Sequence, residues 1–152
     1  MNVLVDTSVW SLALRRKPRE LSAAEQPVVE ELADLTREGR ARIIGLIRQE
    51  LLSGIKTAAQ YEKLRVALRA FLDDEIDTSD YEAAAKASND CRLRGIAASV
   101  VDALICHIAL ARQWSIFTTD SDFKAYARVL RIKLHEPRAV RNQGRSLGGA
   151  AV

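Results

Sequence analysis

This sequence predicts an α/β fold, a sandwich of helices around a mostly parallel sheet. Short apolar runs of strand length alternate with longer stretches of helical period. The helical stretches open at capping residues and several stop at glycine. Hydrophobic residues make up 48% of the 152, charged residues 28%, and there are only 7 Gly and 3 Pro, which excludes a disordered, collagenous or low-complexity chain.

The elements follow in order. Val3-Leu4-Val5 is a buried-strand run closed by Asp6-Thr7-Ser8, all good helix-capping types. A short helix through Trp10, Leu12 and Leu14 stops before Pro18. Ser22 with Glu25 makes a capping box, after which Val28, Val29, Leu32 and Leu35 mark one helical face and Gly39 supplies the stop. Ile43-Ile44 reads as a second strand, leading into a helix from about Leu46 to Ser53, with Gly54 beyond it. Thr57 opens the next helix, whose stripe is Tyr61, Leu64, Leu68, Phe71 and Leu72. Glu75-Ile76-Asp77 is the expected third strand. Ser79 with Glu82 forms a second capping box, starting an alanine-rich helix that ends near Gly95. Ser99 with Asp102 forms a third, opening a strongly apolar helix to about Arg112. Ser115 to Thr118 reads as a strand, Ser121 to Arg128 as a short helix and Val129 to Leu134 as the last strand.

The length suits one domain that buries about two-thirds of its unfolded surface. We expect that domain over residues 1–135, with 136–152 a basic, flexible tail of Arg, Gly and Ala. No apolar run approaches the roughly 20 residues that span a bilayer, and Asp6 comes too early for a signal-peptide core. Cys91 and Cys106 have neither CxxC spacing nor a disulfide pattern, so a reducing, cytoplasmic setting is expected. The net charge is +3, and Arg138, Arg141 and Arg145 account for all of it. A second basic cluster, Arg15-Arg16-Lys17 with Arg19, follows the first helix. Both clusters suit a polyanion, and both are equally read as solvated surface.

Topology singles out four acids. Asp6 directly follows the first strand and Asp120 follows Ser115 to Thr119, so both emerge at the same edge of a parallel sheet. Asp102 lies on the first turn of the apolar helix, and Glu50 on the helix after the second strand. Carboxylates held close in a partly desolvated site repel one another and persist only with a cation or protons to offset them. Oxygen ligands with water suit Mg²⁺ or Mn²⁺ rather than zinc, and such an ion serves phosphoryl chemistry. Each acid also has a plain structural reading: Asp6 and Asp120 as helix caps, Asp102 as the acid of a capping box, Glu50 as a solvated helix residue.

Other chemistries lack their residues. There is no phosphate-binding Gly-x-x-x-x-Gly-Lys loop and no Gly-x-Ser-x-Gly elbow. His107 sits about 140° round the helix from Asp102 and reads as a core or interface residue. His135 reads as structural or exposed, Trp10 and Trp114 as packing anchors.

The run Val3-Leu4-Val5-Asp6-Thr7-Ser8-Val9-Trp10 resembles the opening of PIN-domain ribonucleases, specifically VapC-type toxins of toxin–antitoxin pairs. The resemblance continues, in the family's order and spacing, through Gln49 to Gly54, Val101 to Ile105 and Thr118 to Phe123. On that resemblance Asp6, Glu50, Asp102 and Asp120 match the metal-binding acids, Asp122 a further acid of some members, and Thr7 and Thr118 hydroxyls around the site. It implies a three-layer α/β/α sandwich with a five-stranded parallel sheet, a homodimer, and Mg²⁺- or Mn²⁺-dependent RNA endonuclease activity. It also implies a small VapB-like antitoxin that blocks the site. Arg15, Arg16, Lys17, Arg138, Arg141 and Arg145 are the candidates for holding RNA phosphates.

Rival readings fare worse. A haloacid-dehalogenase-type phosphatase needs an acid where Ser8 stands, and a response-regulator receiver needs an early acid pair that Asp6-Thr7 does not make. A non-catalytic PIN-like scaffold is disfavoured by acids at all four positions.

Overall fold

The computed structural model describes residues 1–138. Five strands form one parallel sheet in the order β3-β2-β1-β4-β5: β1 (Val3–Val5), β2 (Ala41–Ile44), β3 (Asp73–Asp74), β4 (Ser115–Phe117) and β5 (Lys133–Leu134). The helices are α1 (Thr7–Leu14), α2 (Gln26–Arg37), α3 (Gly45–Leu52), α4 (Ala58–Leu68), α5 (Thr78–Leu93), α6 (Val100–Ala111) and α7 (Asp122–Tyr126). A single turn of 3₁₀ helix at Pro18–Glu20 joins α1 to α2.

The chain moves outward from β1 to β2 and β3, then crosses back to β4 and β5 on the other side of β1. Right-handed crossovers therefore put α1 to α4 on one face and α5 to α7 on the other. The helix contacts divide the same way: α1 meets α2 and α3, α3 meets α4, and α5 packs along α6. The reversal of direction falls between β1 and β4, where open parallel sheets leave a crevice beyond the strand C-termini. Register fixes which residues reach it. Leu4 lies beside Ile116 and Val5 beside Phe117, and the Asp6 N–H donates to the Phe117 carbonyl (2.9 Å), so Asp6 and Thr118 leave the sheet together.

Apolar burial holds this frame. Val3, Leu4, Val5, Ile43, Ile44, Ile116 and Phe117 are buried strand residues, covered by Val9, Leu35, Ile47 and Leu51 from one set of helices and Leu104, Ile105 and Ile108 from the other. Trp10 is buried, donates its indole N–H to the Val5 carbonyl (3.0 Å) and packs edge-on against Phe71 (4.8 Å). Gly39, Gly54 and Gly95, expected as helix stops, all take positive φ, of 65°, 78° and 77°.

Four expectations need correction. The third strand is Asp73–Asp74, not Glu75 to Asp77, because Arg48 grips the Asp73 carboxylate (2.9 Å) and the Leu68 and Phe71 carbonyls, drawing that earlier segment onto β2. The box that opens α5 is Asp77 with Asp80 rather than Ser79 with Glu82; the Asp77 carboxylate accepts from the Asp80 N–H, and Asp80 answers to the Asp77 N–H. In α4 only Leu64 and Leu68 of the stripe are fully buried; the helix ends before Phe71, and Tyr61 and Leu72 face solvent. The last strand is two residues long, since turns closed on the Tyr126 and Leu130 carbonyls occupy residues 127–132.

The tail expected from Glu136 lies mostly outside the described residues, as do Arg141 and Arg145. Its start is fastened. Buried Glu31 of α2 accepts from the Arg138 N–H (3.1 Å) and guanidinium and pairs with His135 (2.8 Å), and Arg138 also reaches Glu38. Burial pushes the Glu31 carboxyl up, but these hydrogen bonds outweigh it and hold the group below its ordinary range. Arg138 thus pairs with three carboxylates of α2 and its end, including Asp34 at 3.8 Å, while its side chain stays 40% exposed. Among the described residues no helix is long and apolar enough to cross a membrane.

Candidate active site

Asp6 closes β1 and starts α1. Its carbonyl accepts from Val9 and Trp10, but its side chain makes no capping bond. Instead Oδ2 accepts from the Ser8 hydroxyl (2.8 Å) and the Thr118 hydroxyl (2.8 Å), and the carboxylate is only 7% exposed. A capping role would have turned this carboxylate toward the helix N–H groups; here it faces the sheet edge.

Thr118 joins two of the acids. Its Oγ1 donates to Asp6 and accepts the Asp120 N–H (3.0 Å), fixing the loop that carries Asp120. Asp120 is exposed, and its Oδ1 accepts the Asp122 N–H (2.9 Å) at the start of α7, so the capping reading holds for one of its oxygens. Asp122 is exposed two residues along, at the first position of α7. Glu50, also exposed, is drawn in by Thr7, whose hydroxyl donates to Oε2 (2.6 Å) across 43 residues of sequence.

Asp102 is half of the expected capping box. Its N–H donates to the Ser99 hydroxyl (3.0 Å), whereas its carboxylate accepts from the Tyr126 hydroxyl (2.8 Å). Burial raises its pKa; hydrogen bonds from Tyr126 and Ser99 oppose the rise, and the charges of Asp6 and Asp120 add to it. Those two acids are therefore near enough for their charges to oppose its ionisation.

Ser8 and Tyr126 were not singled out by the sequence. Ser8 completes the bridge: it donates to Asp6, stands 3.3 Å from the Thr118 hydroxyl and accepts the Thr119 N–H (3.1 Å). The run of hydroxyls after Asp6 was a usable signal for it. Tyr126 lies 24 residues from Asp102 and looks like an ordinary apolar position of α7; only the fold shows its hydroxyl beside an acid. The phenol is buried, braced edge-on by Phe123 (5.2 Å), and its pKa is raised by burial and by Asp102.

The donors are all oxygen and the crevice is strongly negative, which fits a hard dication of the Mg²⁺ or Mn²⁺ class. Among the described residues no three acids already close on a common point at ligand spacing. An ion that keeps several of its waters, as Mg²⁺ ordinarily does, matches that looser arrangement.

The other residues considered in the sequence lie outside the cluster of acids. His107 binds Asp80 (2.9 Å) on the α5–α6 side, Cys91 and Cys106 are buried, and Trp114 packs on the core. Arg15, Arg16, Lys17 and Arg19 are exposed beyond α1.

Comparisons place this geometry among known proteins. FitAcB from Neisseria gonorrhoeae superposes with a TM-score of 0.69 at 20% identity, over 90% of this chain and 98% of its own. VapBC2 from Rickettsia felis, solved bound to a DNA fragment from their promoter, gives 0.66 at 18% identity over 89% and 98%. A toxin–antitoxin complex from Klebsiella pneumoniae gives 0.59 at 17% identity over 80% and 90%. Among curated proteins none matches significantly. The PIN domain profile matches residues 3–129, which contain every strand but β5 and all four topologically singled-out acids. The chain belongs to the PIN domain family.

Proposed function

We propose that this chain is a Mg²⁺- or Mn²⁺-dependent endoribonuclease, the toxin of a toxin–antitoxin pair. PIN domains are generally nucleases, and the observation that carries the reading here is the shared crevice of Asp6, Asp102 and Asp120, with Glu50 tied to its rim through Thr7. Asp6, Asp102 and Asp120 would hold the ion, directly or through water, with Asp122 near enough in sequence to help. When bound, the ion supplies charge stabilisation on the phosphate and makes an attacking water more acidic.

The chain's own residues do the rest. Ser8 and Thr118 both donate to Asp6 Oδ2, and to Oδ1 we assign the ion. Thr7 holds Glu50 by Oε2, and to Oε1 we assign the proton of the attacking water. Tyr126 orients Asp102. A Tyr126→Phe variant, which keeps the buried ring and loses only the hydroxyl, is expected to weaken Mn²⁺ binding about tenfold in calorimetry while shifting the metal-free midpoint little.

Residues 1–135 form the nuclease unit in this reading, working in the cytoplasm as a homodimer. Leu93 and Val100, both over 80% exposed at the α5–α6 connection, offer apolar surface to such a contact. A VapB-like antitoxin is the expected partner, a reading supported by the toxin–antitoxin complexes among the structural neighbours. The test is RNA cleavage by chelator-stripped protein as Mn²⁺ or Mg²⁺ is restored. Cutting should appear with the ion, and full cutting in excess chelator would refute the metal mechanism.

A further inference from the structure

A cleft of about 460 Å³ opens directly beside the acid crevice. One wall is Ser8, whose hydroxyl donates to Asp6, and Thr119, whose N–H donates to that Ser8 hydroxyl. The other is Arg15 and Arg16, the first residues past α1, with Glu25 at the mouth. Its chemistry is the reverse of the crevice's, two guanidinium groups and the three hydroxyls of Ser8, Ser11 and Thr119 against one carboxylate.

The three charged groups are not equivalent. Among the described residues Arg15 makes no ion pair. Arg16 lies 3.4 Å from Glu25, an open contact between side chains 52% and 29% exposed. Glu25 is held in place because its other oxygen accepts the Ser22 N–H (2.9 Å), half of the box that precedes α2. A fixed carboxylate therefore occupies Arg16 loosely, at a distance a phosphate oxygen would improve on.

We propose that this cleft seats a phosphate of the RNA strand next to the one being cut. Arg15 is its permanent cation, and Glu25 competes for Arg16 until the phosphate arrives. The inference rests on reading the acid crevice as an RNA-hydrolysing site, and it adds the path of the strand: over Asp6, across Ser8 and Thr119, toward the end of α1. The phosphate contacts here position the strand and carry no base preference.

The test measures binding without hydrolysis. A fluorescent single-stranded RNA is titrated in excess chelator across a salt series, using the full chain and its Arg15→Ala, Arg16→Ala, Glu25→Gln and Arg16→Ala/Glu25→Gln variants. Arg92→Ala, on α5 across the sheet, is the control for charge alone. All positions are surface residues, and Gln keeps the capping role of Glu25. Arg15→Ala should weaken binding about fivefold and flatten the salt slope by about 0.7, and Glu25→Gln should tighten binding only while Arg16 is present. Equal losses from Arg15→Ala and Arg92→Ala, or a Glu25→Gln gain that survives removal of Arg16, would overturn the proposal. Cleavage assays separate the two readings. Metal-dependent cutting with no Arg15 effect on binding removes the cleft alone, whereas Arg15-dependent binding without cutting removes the hydrolytic reading and leaves the phosphate seat.

Discussion

Asp102→Asn is expected to abolish RNA cleavage, by more than about a hundredfold, without destabilising the metal-free protein. Nothing structural is lost in the exchange. The capping bond to Ser99 comes from the backbone N–H, which asparagine keeps, and an amide oxygen still accepts the Tyr126 hydroxyl. What disappears is a half-buried charge whose pKa is raised by burial and by Asp6 and Asp120. A carboxylate raised in this way destabilises the fold at neutral pH, so the metal-free midpoint should stay level or rise. The midpoint gain on adding Mn²⁺, clear in the wild type, should vanish. Ser99→Ala supplies the contrast: loss of the cap costs about 1 kcal/mol and leaves Mn²⁺ stabilisation intact. An active Asp102→Asn that still gains stability from Mn²⁺ would remove Asp102 from the site.

Asp80→Ala should produce the opposite pattern, a large loss of stability with the metal response retained. Asp80 is buried and accepts from both Arg112 Nη atoms (3.0 and 3.2 Å) and from His107 (2.9 Å), while it caps α5 through Asp77. Arg112 continues to Asp74 (2.6 Å) and the Glu75 carbonyl (2.7 Å), so this carboxylate ties the end of α6 to β3 and the start of α5. Its removal strands Arg112 and His107 in a partly buried site and should cost about 3 kcal/mol in urea unfolding. The pH dependence identifies the cause. Chiefly the Arg112 hydrogen bonds, opposed by burial and joined by His107, hold the Asp80 carboxyl well below its usual range. A lowered carboxylate stabilises above its unfolded pKa, about 4, and that stabilisation fades as pH falls further. The gap between wild type and Asp80→Ala should therefore narrow as the pH falls below about 4. A gap that does not change with pH would mean that packing, not charge, is what Asp80 contributes.

The sequence is most readable where period and capping agree. The Val3 to Val5 run, the Ser22–Glu25 box, Thr57 as a cap and the stops at Gly39, Gly54 and Gly95 rest on local chemistry that the tertiary structure has no reason to override. Reading failed where a long-range partner decides the outcome. Arg48 moves β3 two residues toward the N-terminus, and Asp80 takes the α5 box because Arg112 and His107 need its carboxylate there. Glu31 is invisible in the sequence as a buried group, since its partners His135 and Arg138 lie more than 100 residues away. The acids behave the same way. Parallel strands made Asp6 and Asp120 neighbours on paper, but only the fold supplies the hydroxyl bridge through Thr118 and the contact of Tyr126 with Asp102.

The chemistry at the crevice is tested most directly by the ends of the RNA it cuts. A short end-labelled RNA is incubated with wild type and Asp102→Asn, with Mn²⁺ or with chelator, and the product termini are determined. Attack by a water activated at the acids breaks the bond to the 3′-oxygen and leaves a 5′-phosphate and a 3′-hydroxyl. Those ends, formed only with Mn²⁺ and only by the wild type, are the predicted result. Products ending in a 2′,3′-cyclic phosphate, formed equally in chelator, would mean that the RNA's own 2′-hydroxyl is the nucleophile and that Asp6, Asp102 and Asp120 hold no catalytic ion.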